Sequence, residues 1–227
     1  MNAFASFTSV DFLKIILGAI AGTLLTLWLQ HIYKARKRKA SAIRLTELVR
    51  TETENNRRLA TKALERLRDD LAAVAAALTA TQSSEEIPDL PARLFDLQVP
   101  LLAFRSAAWL AASRSSALDA SEPAAAYAVE APYSVIRQLS TLNTSILNSP
   151  SMITLFALQN AVDAQALGPP KLADCLRQAK LLLASQEAIL DQLVGASEHS
   201  LKASKDILFS LEASAKTKPS PQEDAKR

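Results

Sequence analysis

Apolar residues run almost unbroken from Phe12 to Ile32, then return at spacings of three and four along most of the chain. The first run reads FLKIILGAIAGTLLTLWLQHI and carries no charge between Ile15 and Leu29. At 1.5 Å per residue it reaches about 31 Å, close to the thickness of a bilayer's hydrocarbon core, and so predicts a transmembrane helix over 12–33. Lys14 at one end can snorkel to the headgroups, and Trp28, His31 and Tyr33 at the other suit an interface. Leu45, Leu48, Leu59, Ala63, Leu67, Leu71, Val74 and Leu78 then form a helical stripe that predicts a long helix over 36–79. Glu52 and Asn56 interrupt that stripe.

TQSSEEIPDLP, at 81–91, reads as a loop. Shorter helices are expected over 91–98, over 100–116, from Pro123 to Leu147 and over 150–167. Asp119 and Glu122 have capping-box spacing, and Pro132 should kink or split the third of these helices. Gly168-Pro169-Pro170 is a strong stop. A last long helix is predicted over 171–214. The fold class is therefore all-α: one N-terminal transmembrane helix, then a bundle built on two long antiparallel helices with shorter helices at or beside their distal end. The domain reading is a short external N-terminus at 1–11, the span at 12–33, a basic juxtamembrane segment at 34–44, a helical domain at 45–215 and a disordered tail at 216–227.

Charge gives the span a direction. Lys34, Arg36, Lys37, Arg38, Lys39 and Arg44 occur with no acid among them. Basic residues beside a span stay in the cytoplasm, which predicts an inner-membrane, single-pass chain with its N-terminus outside. Lys34, Arg36, Lys37, Arg38 and Lys39 are the expected lipid-headgroup contacts. The whole chain carries +3, the block supplies +6, and Asp11 and Lys14 cancel, so the chain beyond residue 44 carries −3. A mildly acidic domain gives no support for nucleic-acid binding. Gly18, Gly22 and Thr26 form a small-residue ridge, the candidate for self-association of the span.

Candidate chemistry is sparse. One cysteine and two histidines make a His/Cys metal site improbable, and no phosphate-loop, zinc or nucleophile motif occurs. No cofactor and no enzyme activity are expected. Glu52 and Asn56 share a helix face and are the ligand or partner candidates, though fixing register in a bundle is the commoner use of such a pair. Arg105, four residues from Trp109, could cover its ring, though packing as a core tryptophan is the commoner role, and Cys175 falls among core positions.

Two stretches carry a resemblance. LVRTETENNRRL at 48–59 looks like a recurring L-x-x-E-x-x-x-N pattern, matched by Glu52 and Asn56. FRSAAWLAASRSSALD at 104–119 is similar to a helix with a central tryptophan, with Tyr127 or Tyr133 following on the next helix. Together they resemble a loose group of uncharacterised bacterial proteins with one N-terminal span, a basic boundary and a helical domain. That resemblance implies a fold and no activity. The functional expectation is a membrane-anchored helical module for protein–protein interaction or scaffolding. The alternatives are a span that oligomerises and permeabilises the bilayer on a signal, and an enzyme or ligand-binding domain using Glu52. The expected partners are membrane lipid and a protein partner or a second copy.

Overall fold

No glycine or proline lies between Gly22 and Pro88, so nothing in that stretch breaks a helix. In the computed structural model the chain uses that freedom fully. The structure describes residues 9–84, 86, 89–97, 104–115, 123–158 and 168–216, with side chains except at 9–19, 95, 123, 158 and 214–216. Helix α1 runs Ser9–Ser83 without interruption. Its 75 residues extend about 112 Å. The basic block 34–44, rich in good helix formers, is part of it rather than a separate segment.

A 3₁₀ turn follows at Ala92–Asp96, where a longer helix is expected. Helix α2 is Ala107–Arg114, a later start than Pro100 predicts. Helix α3 is Pro123–Leu147 and continues through Pro132. Proline removes one backbone donor there, but Val129 and Tyr133 are buried beside it and Leu139 and Ile146 beyond it, so packing holds both sides in line. Helix α4 is Pro150–Leu158. Gly168 takes the positive φ of 69° expected of it. The two prolines after it begin a helix instead of excluding one: α5 is Pro169–Lys216, with Pro169 at the first helical position, where no amide is required. The expected Asp119–Glu122 cap and the tail 217–227 lie outside the described residues.

Helices α1 and α5 are antiparallel. Arg57 meets Glu198 at 3.6 Å and Arg68 meets Glu187 at 2.9 Å, so eleven steps up one helix match eleven steps down the other. Lys216 is eighteen residues beyond Glu198, which places it opposite about Lys39. Helix α1 ahead of that point projects from the bundle by about 45 Å as an arm. The main core lies at the far end: Leu67, Val74, Leu172, Leu176, Leu183 and Leu190 close against Leu139, Ile146, Met152 and Leu155. Asp70, 1% exposed, holds the 3₁₀ turn on α1 through Arg93 at 2.7 Å.

The transmembrane reading is corrected. Among the described residues no helix is long and apolar enough to cross a membrane. Of the expected span, side chains are described only from Ile20 to Tyr33; these 14 residues include Thr23, Thr26, Gln30 and His31. The rest, 12–19, lies outside the residues with described side chains. Inner-membrane placement, the N-out topology, the bilayer-permeabilising alternative and the likeness to single-span bacterial proteins lose their support with it. Lys34, Arg36, Lys37 and Arg38 are exposed and Lys39 is half-buried; no lipid contact is retained for them. What stands is an all-α bundle of five helices among the described residues.

Candidate functional site

The Glu52–Asn56 pair sits on α1 near the arm, not at the distal end where the shorter helices are expected to pack. Each is four residues from the other, on one face, and both are buried, at 7% and 1% exposure. They do not bond each other in the way the spacing suggests. Both reach across to the segment that begins α2.

Asn56 donates from Nδ2 to the Arg105 carbonyl oxygen at 2.7 Å and accepts at Oδ1 from the Arg105 amide at 3.0 Å. A carboxamide has one donor side and one acceptor side, so it pairs with a single residue's main chain as a neighbouring strand would. Glu52 accepts from the Ala108 amide at Oε2, 3.0 Å, and from the Trp109 amide at Oε1, 3.3 Å. These are the free donors of the first turn of α2. Ser106, the local residue placed to cap that turn, makes no side-chain cap bond. A carboxylate from another helix therefore does the capping, with its charge against the positive end of the α2 dipole.

Tyr133 on α3 completes the arrangement. Its hydroxyl donates to Glu52 Oε1 at 3.0 Å, and Thr53 Oγ1 lies 3.2 Å from the same hydroxyl. Since the phenol proton is committed to Glu52, Thr53 donates, giving a relay from Thr53 to Tyr133 to Glu52. Burial holds the Tyr133 phenol well above its ordinary range; the Thr53 hydrogen bond opposes this, and the nearby Glu52 charge adds to it. The Trp109 and Tyr133 rings stack with centroids 5.1 Å apart and planes 19° from parallel. The guanidinium over Trp109 belongs to Arg137, at 5.8 Å, and not to Arg105. Arg105 contributes only its main chain and its side chain is exposed.

Chemically the cluster is a clamp. Glu52 is hydrogen-bonded at both oxygens and Asn56 on both sides of its amide, and both side chains are buried. No basic side chain faces Glu52 in its hydrogen bonds; backbone amides and a phenol take that place. A shallow cleft of about 550 Å³ lies alongside, lined by Glu47, Arg50, Thr51, Glu54, Asn55 and Arg58, all from α1. Of its charges, Glu54 is paired: Arg57 bonds it at 3.1 Å and holds its carboxyl below the ordinary carboxylate range, aided by Arg58 at 3.0 Å.

The other residues of chemical interest are scattered. Cys175 is partly buried against the main core. Asn143 accepts from Gln186 at 2.8 Å inside the bundle. His199 lies 3.0 Å from the Gly195 carbonyl oxygen. Tyr127 is exposed, which leaves Tyr133 as the tyrosine of the cluster. Among the described residues no three metal-ligating side chains come together. Gly18 lies where only the backbone is described, whereas Gly22 and Thr26 are on the projecting arm.

Sequence reasoning found Glu52 and Asn56 and missed what they hold. The available signal was the Ser106-Ala-Ala-Trp109 stretch, a helix start with an aromatic in its first turn. The chain matches no protein-family model, no curated protein and no solved structure. The class that fold and site define is thus an all-helical bundle with an internally satisfied polar clamp.

Proposed function

We propose that this chain is a non-catalytic helical assembly module that associates with a second copy of itself through the arm of α1. One observation carries the reading. Ile20, Leu24, Leu25, Leu27, Trp28, Leu29 and Tyr33 are each more than half exposed, on a helix that α5 does not reach. Burying one such side chain is worth about 1.5–3 kcal/mol, so an uncovered run of seven is a strong drive to associate.

The arm also has a surface on which two helices can approach closely. A Cβ built at Gly22 meets nothing within 4 Å, so packing inside the chain does not account for this glycine. Thr26 turns its hydroxyl back to the Gly22 carbonyl at 2.8 Å, which leaves a smooth, hydrogen-bond-satisfied ridge. The clamp serves the same role by fixing the bundle from which the arm projects.

The test is sedimentation of the full chain over a wide concentration range, beside Gly22→Leu. The wild type should form a discrete oligomer. Gly22→Leu should keep the same helicity by circular dichroism and associate at least about tenfold more weakly, since the substituted side chain holds the backbones apart. A wild-type chain that stays monomeric, or is recovered only on added phospholipid vesicles, would refute the proposal. So would a Gly22→Leu chain that associates as tightly.

A further inference from the structure

The two ends of the bundle are built from different material. At the far end, most buried positions of α1 and α5 are leucine, alanine and valine, with Asp70, Thr81 and Gln186 as polar exceptions. Beside the arm they include Thr46, Thr53 and Asn56 on α1 and Ser197, Ser200 and Ser204 on α5, all at or below 1% exposure. The register set by Arg57 and Glu198 puts the three serines level with about residues 51–58 of α1. Thr46 bonds the Ala42 carbonyl and Thr53 serves Tyr133. The hydroxyls of Ser197, Ser200 and Ser204 have no hydrogen-bond partner among the described residues. Each buried, unpaired hydroxyl costs free energy where a methyl would contribute it. The apolar cluster at this end is small: Val49, Ala112, Val129, Tyr133 and Ile207.

One of those five residues comes from α2. Eight residues are too few for a helix to persist unaided, so α2 exists because it is docked. The dock ties α1 to α3, through Glu52 and Asn56 on one side and the Trp109–Tyr133 stack on the other. We propose that the arm-side end of the bundle opens as a unit while the leucine-packed end stays closed, with α2 as the latch that sets how often it opens. This inference does not depend on self-association of the arm.

Hydrogen exchange of the full chain, read by mass spectrometry, tests it. Amides at 46–56 and 197–207 should exchange at least about tenfold faster than those at 64–77 and 176–193. Glu52→Gln weakens the latch and should speed the first set by about a further tenfold, leaving the second set unchanged. The combined Ser197→Ala, Ser200→Ala and Ser204→Ala chain probes the seam without loosening the clamp, and should slow the first set by about tenfold. Equal protection of both ends in the wild type would overturn the proposal. So would a Glu52→Gln effect spread equally over both sets, or a triple-alanine chain that exchanges as fast as the wild type.

Discussion

Asn56 lies opposite Arg105 and bonds both of its main-chain groups, at 2.7 Å to the carbonyl oxygen and 3.0 Å to the amide nitrogen. Nothing about the arginine side chain enters this pairing, so Arg105→Ala should leave stability within about 0.5 kcal/mol of the wild type. Asn56→Ala removes both bonds at a buried position and should cost about 2–3 kcal/mol in urea unfolding. Asn56→Asp keeps the acceptor and sets a second oxygen against the carbonyl, so it should rescue little. A loss below about 0.5 kcal/mol for Asn56→Ala would mean that this clamp does not hold α2.

The same pair shows how far the sequence could be read. Glu52 and Asn56 stood out because two polar side chains broke an apolar stripe, and burial of such groups demands partners. The partners stayed hidden because they are amides and a carbonyl, which every residue carries. The long helices were visible in their three- and four-residue spacing. Their ends were less so: the basic block favours helix as well as a boundary, and Pro169 starts α5 where a stop is expected. Arg105, four residues from Trp109, looked like its cation, but that place belongs to Arg137 on α3, which no local spacing could disclose. Apolar character alone also over-specified 12–32: it marks residues that seek cover without saying what covers them.

Tyr133 should govern the alkaline limit of stability. Its folded-state titration is raised, chiefly by burial, so the folded chain keeps the phenol proton at pH values where the unfolded chain has lost it. Stability from this group is complete below the ordinary tyrosine range of about pH 10 and falls as pH rises beyond it. Tyr133→Phe keeps the ring and its stack but removes the donor to Glu52, costing about 1.5–3 kcal/mol at neutral pH. The substitution should also flatten the decline above about pH 10. Urea midpoints measured from pH 7 to 11 for both chains decide the matter; parallel curves would exclude Tyr133 as the titrating group.

Trp109 is contacted on two sides, by the Tyr133 ring and by the Arg137 guanidinium. The second contact is tested by a double-mutant cycle. Arg137→Gln should cost about 0.5–1 kcal/mol in the wild type and close to nothing once Trp109→Leu has removed the ring. Arg137 is largely exposed and 3.9 Å from Glu130, so a small salt-sensitive part of its effect should survive in the Trp109→Leu background. A coupling energy indistinguishable from zero would show that the cation does not rest on the indole in solution.

Arg93 makes the sharpest stability prediction away from the clamp, because its partner is the most buried carboxylate described. Asp70 is 1% exposed and forms an ion pair with the Arg93 guanidinium, Oδ1 to Nε 2.7 Å, and Arg93 also reaches Asp96 at 3.1 Å within the 3₁₀ turn. Arg93→Leu strips the cation from a desolvated carboxylate and should cost about 3–5 kcal/mol. Arg93→Lys keeps the charge without the forked geometry and should recover only part of that loss. The pair itself need not be stabilising relative to apolar residues, since both charges leave water when the turn docks. Asp70→Leu combined with Arg93→Leu should therefore be clearly more stable than Arg93→Leu alone. If the double variant is no better than the single one, the loss comes from packing of the turn, through its neighbours Leu94 and Leu97 in the main core, and not from the stranded charge.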